Sequence, residues 1–263
     1  KFERELCKKH NQKYGLMVNS GSSANLVMVA ALKKVLKWND GDEVIVSPVG
    51  FPTTVAPVIQ NGLKPVFIDI ELESLNFDVT KIEEKINSRT KAIFVSPVLG
   101  NPPDFDAIVK ICAIASSYSF YPAHHITTGE GGAVTSNSKE VIKTARSFAW
   151  WGRDCYCVGS ANLLPNGTCG NRFDRHLVGY DEIVDHKFIF GNVGYNLKPL
   201  DLQGAIGLVQ LEKSKMIHTK RRHHKNMLEK IFLNNIPDLR IPGELDKAKT
   251  SWFGLPIICK NIS

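Results

Sequence analysis

Residues 41–70 read GDEVIVSPVGFPTTVAPVIQNGLKPVFIDI, and the architecture follows from how this stretch is divided. It contains two short apolar runs, Glu43–Ser47 and Pro65–Ile70, and a third follows at Lys91–Pro97. Runs this short, bounded by Gly and Pro and rich in Val and Ile, are strand signals. Stretches with helical periodicity follow them, at Val79–Ile86 and Asp104–Ile111. Strands alternating with helices predict an α/β fold: a mostly parallel sheet with helices on both faces.

Working outward, the spacing predicts a helix over residues 2–13 and a strand over Leu16–Ser20. Gly21 permits a tight turn, and Ser22 or Ser23 caps a helix running to about residue 37. Its apolar residues Leu26, Val29, Ala30, Leu32, Val35 and Leu36 fit one buried face. Gly132–Ser136 reads as a further strand, Val141–Trp150 as a helix, and Pro199 to about Leu233 as a long helical region. The expected division is a large domain over 1–210, followed by a linking helix and the start of a small domain over 211–263.

The 263 residues are 43% hydrophobic and 22% charged, the composition of an ordinary globular protein. No apolar run is long enough to span a bilayer, and the first ten residues, KFERELCKKH, are too charged for a secretory signal. The expectation is a cytoplasmic protein. Six cysteines without a secretion signal then argue against a disulfide framework and for metal binding or burial. The net charge of +7 fits plain solubility, or an anionic substrate such as a nucleotide diphosphate sugar. The basic residues are scattered, which argues against a nucleic-acid partner. Their one dense cluster, HTKRRHHKN at 218–226, reads as a solvated helix face.

Three places carry chemistry. Gly21-Ser22-Ser23-Ala24-Asn25 lies at a strand-to-helix turn, where helix amides and dipole suit a phosphate; an ordinary capped helix is the plainer alternative. The segment SFYPAHHITTGEGGAV, residues 119–134, holds adjacent histidines 124 and 125, which on extended backbone face opposite ways. Cys155, Cys157 and Cys169, in CYCVGSANLLPNGTC, read as soft-metal or iron–sulfur ligands. Cys7, Cys112 and Cys259 are expected to be buried as small hydrophobes.

The 119–134 segment resembles the active-site stretch of vitamin B6 enzymes. Together with VNSGSSAN (18–25), residues 41–70 and VGYNLKPLDLQGAIGLVQLEK (193–213), it resembles the DegT/DnrJ/StrS family of sugar aminotransferases and dehydrases, related to aspartate aminotransferase. The resemblance implies the type I pyridoxal-phosphate transferase fold, with a small C-terminal domain that is truncated here. It places His124 where such segments carry the Schiff-base lysine. An imidazole cannot form an imine, yet it can move a proton near neutral pH. The implied cofactor is therefore noncovalent pyridoxamine 5'-phosphate, with His124 as base. The same resemblance puts Ser22, Ser23 and Ser119 at the cofactor phosphate and Phe51 on the pyridine ring. It makes Asn196 reach the phosphate of a neighbouring subunit, so a symmetric homodimer with shared active sites is expected. Lys198 stands where many aminotransferases carry Arg.

The His pair and the Cys-x-Cys narrow the resemblance to the 3-dehydrase branch that acts on CDP-4-keto-6-deoxy-glucose with a [2Fe-2S] cluster, although the 155–169 loop is longer than that branch's spacing. The implied activity is C-3 deoxygenation of a nucleotide-linked 4-keto-6-deoxyhexose, for 3,6-dideoxyhexoses of lipopolysaccharide O-antigen. The implied partner is a flavin and iron–sulfur reductase. A GDP-4-keto-6-deoxy-mannose 3-dehydratase without a cluster and a non-catalytic metal-binding homologue are the alternatives. The family's Asp-Asn-Cys-Asp element, with the aspartate for the pyridine nitrogen and a fourth cysteine, has no counterpart near 112–116. The expectation is that residues are missing there and at both ends; a degenerate homologue is the other reading.

Overall fold

The computed structural model describes residues 1–109, 114–155, 172–176, 179–236 and 238–259. Its main elements in chain order are α1 (Phe2–Lys9), β1 (Tyr14–Val18), α2 (Gly21–Val35), β2 (Glu43–Val46), α3 (Ala56–Gln60), β3 (Lys64–Phe67), α4 (Ile82–Lys85), β4 (Thr90–Phe94), α5 (Phe105–Val109), β5 (Ala115–Ser119), β6 (Gly132–Ser136), α6 (Lys139–Ala149) and α7 (Asp201–Asn235). They form two compact units. The first comprises residues 1–39, 114–122 and 126–211, the second 40–113, 123–125 and 212–263. Among the described residues no helix is long and apolar enough to cross a membrane.

The second unit carries the parallel sheet expected from residues 41–70. Its order is β3-β2-β4, with Ile45 opposite Val66 on one side and Ile93 on the other. Ile45, Ile68, Phe77, Ile82 and Ile108 form its core, with Val66, Val79, Ile93 and Val95 packed around them. β2 is buried at every position, which is why it reads as a continuous apolar run and not as an alternation.

In the first unit the sheet order is β1-β6-β5, and both pairings of β6 are antiparallel. The chain leaves β5 and returns as β6 through residues 120–131, whose ends are bonded together by the Phe120 amide and the Gly131 carbonyl, so the two strands run in opposite directions. β1 and β5 consequently run the same way, and their last residues, Val18 and Ser119, both lie opposite Gly132. Phe2, Leu6, Met17, Phe120 and Ala133 make the core here.

Helix α2 follows from its sequence. Ser20 caps it, its side chain accepting the Ser23 amide at 3.1 Å. Ala24, Val27, Met28 and Ala31 are fully or nearly fully buried at helical spacing, and Val29 and Ala30 are buried beside them. The buried face is thus rotated from the one expected on Leu26 and Leu36; Leu36 is 40% exposed. Two charged groups tie α1 into this unit. Glu3 accepts the Met17 amide at 2.7 Å and both contacts from Arg146 Nη2 at 3.1 and 3.2 Å.

Candidate functional site

Ser22, Ser23 and Ser119 come together at the start of α2. Gly21 and Ser22 occupy the first two helical positions, whose amides have no intrahelical acceptor. β5 ends beside them. A Cβ built on Gly21 would lie 2.3 Å from the Ser119 Cβ and 2.6 Å from its Oγ, so only glycine permits this approach. The result is a cradle of helix amides and one hydroxyl at the carboxyl ends of β1 and β5, a setting that suits an anion. Ser23 also takes part in the cap: its hydroxyl donates to Asn19 Oδ1 at 2.7 Å and accepts from Ser20 Oγ at 2.9 Å.

Asn196 is exposed on a segment pinned to the same region. The amides of Tyr195 and Leu197 donate to the carbonyls of Phe148 and Ala149 at the end of α6, and the Leu197 carbonyl accepts the Asn19 amide at 3.0 Å. Next along, the Lys198 ammonium sits 3.9 Å from the centre of the Trp151 ring, and the Arg153 guanidinium 4.8 Å from that same centre. Both cations are thereby held against one aromatic group.

The histidine loop is closed at its base. The Phe120 carbonyl accepts the Thr128 amide at 3.0 Å and the Thr127 hydroxyl at 2.9 Å, while the Phe120 amide donates to the Gly131 carbonyl at 2.8 Å. Gly129 supplies the left-handed turn, with φ of 83°. Between these anchors the backbone forms turns and bends instead of a strand. The expectation that His124 and His125 face opposite ways fails for that reason. Both rings meet Phe253 edge-on, at centroid distances of 4.8 and 5.7 Å. His125 Nε2 is hydrogen-bonded to the Ser251 carbonyl, and the Ser251 hydroxyl is 2.9 Å from His218 Nδ1. Burial pushes the His124 imidazole below its ordinary value, helped by the neighbouring His125 and Arg221. His125 is lowered chiefly by burial too, against the opposing bond from Ser251. A depressed imidazole is neutral at physiological pH, the form a base requires.

Phe51, in the second unit, is 71% exposed at the entry to a short 3-10 turn, a position that displays a ring face rather than filling a core. Of the three candidate metal ligands, Cys157 and Cys169 lie outside the described residues. Cys155 is half-buried, its Sγ 3.1 Å from Nε2 of the buried His186. Among the described residues no group of three or more His, Cys, Asp or Glu is placed to hold a metal. Cys7 is buried as expected, and burial pushes its thiol up to about 11. Cys259 is not; it lies exposed on a two-residue strand pair with Leu239–Arg240, too small to cover it. Cys112 lies outside the described residues.

Sequence reading missed His186, which has no motif around it, and it missed Arg221. The 218–226 cluster is not uniformly solvated. His218 and Arg221 are half-buried on α7, and Arg221 Nη2 donates to the carbonyls of Ala123 at 3.1 Å and His124 at 2.8 Å. Their spacing with the buried Ser214 is helical and marks one inward stripe.

The family model of the DegT/DnrJ/EryC1/StrS aminotransferase family matches residues 1–116 and 112–263, two stretches that meet at 112–116. A dTDP-4-dehydro-2,6-dideoxy-D-glucose 3-dehydratase of Saccharopolyspora spinosa is 38% identical over 288 positions, covering 98% of this chain and 61% of that protein. The lipopolysaccharide biosynthesis protein RfbH of Salmonella typhimurium is 38% identical over 295 positions, covering 100% and 66%. The chain therefore spans less than two thirds of either relative. Among solved structures, an Escherichia coli GDP-4-keto-6-deoxy-D-mannose-3-dehydratase with bound hydrated PLP superposes with a TM-score of 0.81 at 31% identity, covering 100% of this chain and 71% of that one.

Proposed function

The chain belongs to the DegT/DnrJ/EryC1/StrS aminotransferase family, and on that premise we propose that it serves a pyridoxamine-phosphate-dependent 3-dehydrase of nucleotide-linked 4-keto-6-deoxy sugars. One observation carries this reading: a half-buried imidazole, His124, occupies the position where the resemblance puts a lysine. The relatives named as 3-dehydratases support the substrate class. When bound, the cofactor supplies an amine that condenses with the C-4 ketone and a ring that spreads the charge of the neighbouring carbon acid. The cradle at Gly21, Ser22 and Ser119 fits its phosphate. Phe51 offers its ring as a stacking face. His124, kept neutral by burial, would serve as the base for the carbon acid that the bound cofactor supplies, receiving that proton on an imidazole nitrogen.

The test is direct. Treatment with pyridoxal phosphate and borohydride should leave no adduct at position 124, whatever surface lysines do. His124→Asn should keep cofactor binding and lose turnover by roughly 10²–10⁴-fold, and His125→Asn should be milder. An adduct at 124, or full turnover in His124→Asn, refutes the reading.

The finer form favoured is a CDP-sugar enzyme with a [2Fe-2S] cluster on Cys155, Cys157 and Cys169 and a partner reductase. It is supported by the Cys-x-Cys and the third cysteine downstream. The likeness to the GDP-sugar dehydratase favours the second reading, without a cluster. We also propose a homodimer; exposed Phe188, Phe190, Val193, Leu200 and Leu202 in the first unit supply apolar surface for a second copy. The division at 210/211 remains our assignment. So does a missing stretch near 112–116, supported by the two-part family match and by an RfbH alignment longer than the 263 residues of the chain.

A further inference from the structure

We propose that Arg221 is a positioning residue for His124, clamping the histidine loop from helix α7 and holding a positive charge beside the imidazole. Three observations in the second unit carry this. First, one guanidinium nitrogen donates to two successive carbonyls, those of Ala123 and His124. Two bonds to adjacent peptide groups fix the orientation of the peptide that carries the His124 Cα, which a single bond would not. Second, both acceptors are neutral, so this contact leaves the guanidinium charge uncompensated next to the loop. Third, the same turn of α7 engages the other side of the loop: His218 meets the Ser251 hydroxyl, whose own carbonyl binds His125. His124 is therefore faced by His125 from its own loop, by Arg221 from α7 and by the uncharged Phe253 ring.

The two roles reinforce each other. The clamp sets where the imidazole stands, and the charge opposes its protonation, consistent with its lowered ionisation. A lysine in place of Arg221 could supply the charge, but its flexible, strongly hydrated ammonium is not held by a planar guanidinium and fixes the two carbonyls less firmly. The inference rests on the assignment of His124 as base, so its test needs a readout independent of turnover.

The imidazole resonances of the full chain would be followed by NMR against pH, in wild type, Arg221→Met and Arg221→Lys, with His124→Asn to assign the signal. Arg221→Met should raise the His124 midpoint. Arg221→Lys should keep the midpoint low, and Arg221→Gln, which should raise it as Arg221→Met does, serves if Arg221→Met does not fold. Turnover should fall about ten- to hundredfold in Arg221→Met with cofactor affinity unchanged, the scale of an ångström-level misplacement. A His124 midpoint that is the same in all three proteins overturns the proposal. An unchanged rate in His124→Asn alongside a shifted midpoint would instead sink the assigned reaction and leave the clamp standing.

Discussion

Gly21→Ala probes the proposed phosphate cradle at its tightest point. The new Cβ would sit 2.3 Å from the Ser119 Cβ, 2.6 Å from its Oγ and 3.0 Å from its Cα. Carbon atoms in contact prefer about 3.5–4.0 Å, so Ser119 and the start of α2 must separate by more than about 1 Å. Neither side yields easily. Ser119 is paired with Gly132 across the sheet, and α2 is fixed by the Ser20 cap and by Asn19 bound to Leu197. The strain should cost about 1–3 kcal/mol of stability, as overpacking usually does. The separation also takes the Ser119 hydroxyl out of reach of a phosphate held by Gly21 and Ser22. A hydrogen bond to a charged group is worth about 1.5–3 kcal/mol, so the dissociation constant for pyridoxamine phosphate should rise roughly 10- to 150-fold. Equilibrium dialysis gives the affinity, and urea titration gives the stability. A variant that binds within threefold of wild type, at unchanged stability, would show that the approach of β5 to α2 does not build the site.

Two further outcomes are expected. His10, His124 and His125 are all held below the ordinary imidazole value of 6.5, chiefly by burial. The unfolded chain then binds more protons than the folded one just below that value. The stability these groups contribute is fully present above about pH 6.5 and falls as pH drops through the folded values, so the urea midpoint should be flat between about pH 7 and 8 and decline below about 6.5; a midpoint that rises on acidification contradicts the burial argument. Glu3→Gln leaves Arg146, whose side chain is 3% exposed, without its counter-charge. Breaking such a pair from one side costs about 3–5 kcal/mol, and a double-mutant cycle with Arg146→Met should show strong coupling, whereas additivity within about 0.5 kcal/mol would mean the pair is idle.

The parallel strands were legible because burial on both faces forces unbroken runs of Val and Ile, as at Glu43–Val46. β5 was not legible. Its sequence, ASSYS, has no apolar pattern, and its hydroxyls find partners instead, Ser117 donating to Asn25 at 2.7 Å. β1 begins and ends two residues before its expected bounds, because Asn19 and Ser20 are spent on the helix cap. The histidine pair was found by its surroundings, yet its geometry was misjudged, since alternation applies to strands and the loop is a series of turns. Arg221 and His218 were hidden by their company. A dense basic cluster suggests water on all sides, and only the helical spacing from buried Ser214 betrays the inward stripe.

The antiparallel partner of β1 lies far along the chain: Tyr14–Val18 pairs with Gly132–Ser136, while β2, β3 and β4 all fall between residues 43 and 94. During synthesis the parallel sheet has all its strands long before β6 emerges. β1, whose Leu16, Met17 and Val18 are all buried in the finished fold, must wait with an open edge. Non-local pairing of this kind is slow, and an apolar strand left unpaired invites association with other chains. A ribosome-bound chain stopped before residue 132 should thus fold its parallel sheet and hold β1 in a chaperone-dependent state. The vulnerable moment of this protein comes before its histidine loop has a second strand to close upon.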